Sequence, residues 1–226
     1  MSENLVELKG GKEASERAEL MQHLAQQLHT LNELPDDAQL ERMRLQLDVA
    51  ESLIALERKL EAWALARSAF DVALRHDAWK DAVEACDVLY QCEQPGSVAA
   101  LGMGVWLAVS FPVDPELTLA MLMHIVEETP DNSDGAALAA VAARYVIDLR
   151  AEEASYESLS FLANALIGRV AERHSKVRDQ AALDQWMNKL QLRDPAIFLP
   201  RLSKVVNIIV GDTWWFDRDA LRNKFN

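Results

Sequence analysis

DDAQLERMRLQLDVAESLIALERKLEAWALARSAFDVALRHDAWKDAVEACDVLYQCEQ, residues 36–94, is a run of 59 positions without proline or glycine. Alanine, leucine, glutamate and arginine dominate it, and these side chains lose little freedom in a helix. The two strongest breakers are missing, so the run predicts successive helices. Leu40, Met43, Leu47, Ala50 and Ile54 recur at spacings of three and four, which places them on one helix face. Glu41, Arg42, Arg44, Asp48 and Glu51 fall mostly off that face.

The same rhythm extends upstream. Leu20, Leu24, Leu28 and Leu31 form a stripe, Pro35 ends that helix, and Asp36 or Asp37 is placed to cap the next. Downstream, His76-Asp77 breaks the rhythm, and Asp77 is a candidate cap for a helix through Trp79, Val83, Cys86 and Tyr90. Pro95-Gly96 reads as a turn. Asp114-Pro115-Glu116 is a helix start, because proline loses nothing at the first helical position and glutamate suits the positive end of the dipole. A stop before Pro130, a cap within 131–135, and an alanine-rich helix ending near Arg150 follow. Ser155 is a candidate cap for a long helix carrying Leu159, Leu162, Leu166 and Val170. Leu183, Trp186, Met187 and Leu190 mark another. Asp194-Pro195 opens a last segment, expected to be interrupted at Pro200 and closed by Gly211. Val205–Val210 leans towards β structure, but a buried helix fits better in a chain with no period-two alternation.

The expectation is an all-α fold of eight to ten helices, stacked as antiparallel hairpins in an array or irregular bundle. Its divisions are a flexible segment 1–12, an acidic hairpin domain 13–152, and a C-terminal helical segment 153–226 with an aromatic-rich tail. Within Glu61–Gln94, residues Trp63, Ala66, Ala69, Phe70, Ala73, Trp79, Ala82 and Cys86 sit on two short helices. This pairing of small residues is similar in architecture to tetratricopeptide hairpins, although the 34-residue signature is not matched.

Charge bounds the partners. The chain has a net charge of −13, and no lysine or arginine occurs between Lys80 and Arg144. That interval carries Asp81, Glu84, Asp87, Glu93, Asp114, Glu116, Glu127, Glu128, Asp131 and Asp134. Residues 1–150 hold 12 basic and 26 acidic groups, whereas residues 151–226 hold 11 and 10. The acidic part is a poor surface for nucleic acid or anionic membrane, and a protein partner with a basic patch is expected instead. Gln94–Val113 is uncharged over 20 residues. It contains two prolines and three glycines and lacks basic flanks, so it reads as a buried helix. The polar, acidic start has no secretory pattern, and with two cysteines, Cys86 and Cys92, a cytoplasmic location is expected. Their spacing suits neither a redox pair nor a zinc site, which leaves a core position for Cys86 and a helix end for Cys92.

Four groups of residues carry candidate chemistry. Asp114, Glu116, Glu127, Glu128, Asp131 and Asp134 form the expected acidic binding face. Trp214, Trp215 and Phe216 cannot share one helix face, and are candidates for docking internally, dimerising or anchoring a partner. Arg169, Arg173 and Lys176 form a basic stripe that suits RNA, an acidic protein or this chain's own acidic half. His124 and Glu128 share a helix face with Glu127 adjacent to it, and the three are the candidate metal ligands, but no paired Glu-x-x-His motif accompanies them. Residues 130–135 do not make a calcium loop, because Pro130 and Val141 would have to supply oxygen ligands. No nucleophile elbow or phosphate loop is present. The favoured expectation is a non-catalytic interaction, assembly or regulatory protein without a cofactor, with homo-oligomerisation possible. The alternatives are a helical metalloprotein or enzyme at the His/Glu group, and a nucleic-acid-associated regulator using the basic stripe.

Overall fold

The proline-free run folds into α2 (Gln39–Ala55), α3 (Lys59–Arg75) and α4 (Trp79–Gln91). The structure, a computed structural model, describes residues 2–224, with side chains from residue 14 onward. The segment 1–12 expected to be flexible lies outside the residues whose side chains are described. The remaining helices are α1 (Ser2–Glu33), α5 (Ser97–Ser110), α6 (Pro115–Glu128), α7 (Asp134–Arg150), α8 (Glu153–Ser175), α9 (Gln180–Lys189), α10 (Pro195–Val210) and α11 (Arg218–Arg222). Among the described residues there is no strand; α1 to α4 pack in chain order, as do α6 to α9, and α10 packs on α7. The fold is all-α, a helical array. The contacts group into two compact units, Met1–Ser97 and Val98–Asn226. The expected boundary at residue 152 lies at the α7–α8 turn, inside the second unit.

In the first unit, one turn geometry is used twice. At the end of α2, the Glu57 amide donates to the Ile54 carbonyl at 2.9 Å and the Arg58 amide to the Leu53 carbonyl at 2.8 Å. At the end of α3, the Asp77 and Ala78 amides donate to Leu74 and Ala73 at 3.4 and 3.0 Å. Both pairs are Schellman closures, which satisfy the orphan carbonyls of a helix end and reverse the chain in three residues. Such closures favour glycine, yet Glu57 and Asp77 hold φ values of 62° and 54°. Asp77 therefore closes α3 and does not cap α4, whose N-cap is Ala78. Likewise Ala38, not Asp36 or Asp37, precedes α2. Left-handed backbone costs a side-chain-bearing residue about 1 kcal/mol. Glu57→Gly is therefore expected to raise the stability of the first unit by about 0.5–1 kcal/mol, read as a higher urea midpoint with an unchanged slope.

The expected stripe of α2 is buried at Met43, Leu47 and Ala50, and widened by Val49 and Leu53, while Leu40 is exposed. Ala66, Ala69, Phe70 and Ala73 of α3 pack in the same core as Ala82, Cys86 and Leu89 of α4. Arg42 crosses to the end of α1, donating from Nη1 to the carbonyls of Leu31 and Leu34 at 3.2 and 2.7 Å. Arg44 Nε reaches the buried Asp81 Oδ1 at 3.1 Å, tying α2 to α4. The two cysteines are both buried, Cys86 within α4 and Cys92 at its C-cap. Burial pushes both thiols up, Cys92 to about 11. Neither is a thiolate at neutral pH. Alkylation at pH 8 is expected to spare both cysteines in the native protein and to modify both in denaturant.

In the second unit, α7 is the central helix. Ala136 to Ala143 are all buried, and α6, α8 and α10 pack on it. A helix apolar on every side belongs inside, and its alanines let neighbours approach closely. Ser133 caps it, its Oγ accepting from the Gly135 amide at 3.2 Å. The uncharged segment 94–113 supplies α5, buried at Leu101, Met103, Val105, Trp106 and Leu107. Among the described residues no helix is long and apolar enough to cross a membrane.

In the second unit two further boundaries differ from expectation. Helix α8 starts at Glu153, with Glu152 at the N-cap, two residues before Ser155. Helix α10 runs through Pro200 and includes Val205–Val210, so this β-leaning run is helical. Pro200 and Ala196 lie on the exposed side, where water replaces the donor that the proline lacks. Asp194 caps that helix, its carboxylate accepting from the Ala196 amide at 2.9 Å, and Gly211 closes it at φ 59°.

Candidate partner-binding surfaces

The ten carboxylates of the lysine- and arginine-free interval do not form one open face. Asp81, Glu84, Asp87 and Glu93 belong to the first unit and the other six to the second. At least six of the ten meet a cation or an imidazole. Asp81 meets Arg44, Glu93 Oε2 lies 2.9 Å from Lys59 Nζ, and Glu84 Oε1 lies 3.7 Å from Lys80 Nζ. Glu127 Oε2 lies 3.3 Å from His124 Nδ1, Asp131 Oδ1 lies 3.3 Å from Arg173 Nε, and Asp134 is shared by Arg201 and His174. Local neutralisation leaves much less field than the linear sequence suggests. Residues 1–97 nonetheless hold 10 basic and 19 acidic groups, and residues 98–226 hold 13 and 17.

The expected basic stripe is divided by the same pairing. Arg173 donates from Nη2 to the carbonyls of Val126 and Thr129 at 3.0 and 3.3 Å, at the carbonyl end of α6. This is the favourable position for a cation at a helix C-terminus. Arg169 and Lys176 are exposed, and Lys176 sits at the left-handed C-cap of α8. Next to Arg173, His174 Nδ1 accepts from the Trp186 indole N–H at 3.2 Å. Indole is only a donor, so Nε2 carries the ring proton and donates to Asp134 Oδ1 at 3.3 Å. Asp134 Oδ2 accepts from Arg201 Nη2 at 2.8 Å, and Arg201 Nη1 donates to the Leu190 carbonyl. This clasp joins α7, α8, α9 and α10 within the second unit. Asp131 and Asp134, expected on the binding face, are thus engaged internally.

The candidate metal group is partly assembled. His124 and Glu127 pair across one turn of α6, and Glu128 is exposed beyond them. No group of three His, Cys, Asp or Glu side chains among the described residues is placed to hold an ion.

The terminal aromatics form a cluster on α5. Trp106 has Trp214 at 6.1 Å and Phe216 at 5.5 Å between ring centroids, and Phe111 at 5.7 Å. The Trp214 and Phe111 contacts are edge-on and the Phe216 contact is tilted, and ring pairs of this kind add to area burial. Arg218 stacks over Trp214 at 4.0 Å, and Arg222 lies over Trp106 at 5.3 Å. Trp214, Trp215 and Phe216 are each half-buried.

One cleft gathers carboxylates. About 540 Å³ in volume, it lies between the α5–α6 and α7–α8 turns and is lined by Pro112, Val113, Asp114, Pro115, Glu116, Arg150, Glu152, Ser155 and Leu159. Asp114 stands at the N-cap of α6 with Pro115 at its first position, and Glu152 at the N-cap of α8. Two helix starts therefore supply acidic residues to one cleft. Arg150 is the only basic residue in its lining, and its guanidinium is used elsewhere. Nη1 donates to the carbonyls of Ala108 and Val113 at 2.7 and 3.2 Å, and Nη2 to Val109 at 2.9 Å. Burial draws its pKa down from the usual arginine value. The basic end of α7 therefore caps the C-terminus of α5, a neighbouring helix. Sequence reasoning found Asp114 and Glu116 but missed Glu152 and Leu159, which reach the cleft only because α7 and α8 form a hairpin. Comparison with family models, curated proteins and solved structures finds nothing that matches this chain.

Proposed function

We propose that the protein is a non-catalytic binding module whose second unit takes a lysine- or arginine-rich segment of a partner protein in the Asp114/Glu116/Glu152 cleft. The observation that carries this reading is the imbalance of that cleft. Three carboxylates line it, and its one guanidinium is held by three backbone carbonyls. An extended basic side chain fits the space and finds acceptors at its rim, while Leu159 and Pro115 supply apolar wall for its methylene stem. Charge complementarity of this kind speeds encounter and rejects acidic competitors. The face is smaller than the whole acidic interval, because Glu127, Asp131 and Asp134 are engaged with residues of the same unit.

Titration with a short lysine-rich peptide tests the reading. Binding is expected to weaken about tenfold in a Glu116→Lys, Glu152→Lys double variant, and to weaken as salt rises from about 0.05 to about 0.5 M. Both carboxylates are exposed, so the fold should persist. Affinity indifferent to both changes would remove the reading.

A further inference from the structure

Helix α8 has two sides of different fate. Leu159, Ala163, Leu166, Ile167 and Val170 are buried on the core side. Opposite them, Ala154, Ser158, Phe161, Ala165 and Gly168 follow one another at spacings of four, three, four and three, and all are exposed. This is the seam spacing of a helix that packs along another helix. Phe161 is 72% exposed and Leu162 beside it 51%, an unusual cost for two large apolar side chains on one helix. A Cβ built on Gly168 meets nothing within 4 Å. One ring protrudes, and one turn to two turns further along the seam is nearly bare.

The charges of α8 are also polarised. Its N-terminal end carries Glu152, Glu153 and Glu157, and its C-terminal half carries Arg169 and Lys176 in solvent against a single exposed carboxylate, Glu172, with Arg173 engaged at the end of α6. A second copy laid antiparallel brings each acidic end beside a basic end and opposes the two helix dipoles favourably. A parallel copy would set like charges together.

We propose that this face is a homodimer interface in which α8 of two chains pack antiparallel, about a twofold axis near residue 163. In that register Phe161 of each copy lies over Ala165 of the other, and Ser158 lies over Gly168. Small residues at the seam let the two backbones come close, so each phenyl ring fills the space that the partner's seam leaves open. A twofold interface uses one patch on both copies, and this face complements itself in both shape and charge. Glu152 belongs both to the cleft rim and to the acidic end of this face, whereas the seam residues Phe161, Ala165 and Gly168 lie outside the cleft lining.

Sedimentation equilibrium over a concentration series tests it on the full chain. The wild type is expected to dimerise. Phe161→Asp should weaken dimerisation by at least about tenfold with unchanged helical circular dichroism, since the ring makes no core. Ala165→Glu, also exposed, should do the same. Orientation is read by cysteine cross-linking: Asn164→Cys, near the axis, should give disulfide-linked dimers under mild oxidation, and Ser158→Cys should not. A wild type that stays monomeric, variants that dimerise undiminished, or cross-linking through Ser158→Cys in place of Asn164→Cys would each overturn the proposal.

Discussion

Replacing Arg150 with alanine is expected to lower the stability of the second unit by about 3 kcal/mol. The guanidinium gives three hydrogen bonds, to Ala108 and Val109 in the last turn of α5, where carbonyls lack a partner in their own helix, and to Val113 in the connection that follows. Bonds from a charged donor are stronger than neutral ones, and the deletion strands several acceptors at once. Some of these carbonyls can turn to water through the adjoining cleft, which keeps the loss below the sum of three separate deletions. Arg150→Lys should retain less than half of the contribution, because an ammonium cannot reproduce the planar fork that reaches carbonyls on both sides of Phe111. The measurement is urea unfolding followed by tryptophan fluorescence. Trp106, Trp186, Trp214 and Trp215 report the second unit. A loss under about 1 kcal/mol would show that the cap is ornamental.

Gly102→Ala is expected to destabilise the same unit by about 1–3 kcal/mol. A Cβ at this position would stand 2.6 Å from Val210 Cγ2 and 3.0 Å from Ile209 Cγ2. Both neighbours are β-branched, and β-branched side chains are stiff at χ1, so they yield little. In an open helix the same change would help, since alanine is the better helix former by about 1 kcal/mol. The sign of the effect therefore separates close packing from mere tolerance. Val210→Ala combined with Gly102→Ala should recover part of the loss, because it removes the atom in conflict. Gly168, also helical but with nothing around a built Cβ, serves as the internal comparison: Gly168→Ala should stabilise the monomer.

How much of this was legible in the sequence depends on range. The run 36–94 announces its helices, and Met43, Leu47 and Ala50 are buried where the spacing puts them. The turns were harder to read. Asp77 looks like an N-cap because aspartate usually is one, but the chain uses it in a left-handed closure of the preceding helix. Pro200 looks like a stop, and it is tolerated because it falls on the wet side of α10. Neither choice is visible without the tertiary context that fixes which side is wet. Charge was misleading in a similar way. The interval between Lys80 and Arg144 is acidic along the chain, yet Arg173 and Arg201 return from distant helices to meet Asp131 and Asp134. Composition reports which charges exist, and pairing across 40 or more positions is a property of the fold. The basic stripe suffers the same fate, since Arg173 becomes a cap for α6 while Arg169 and Lys176 stay in solvent. That an aromatic of the tail lies against another surface is legible in the sequence, and that Trp106 is part of that surface is not.

The cleft beneath the α5–α6 turn is the feature on which the functional account rests. Backbone amide chemical shifts recorded during titration with a lysine-rich peptide locate the contact residue by residue. Shifts confined to residues 112–116 and 150–159, reversed by salt, are the expected result. Shifts spread over both units, or centred on residues 124–134, would contradict it.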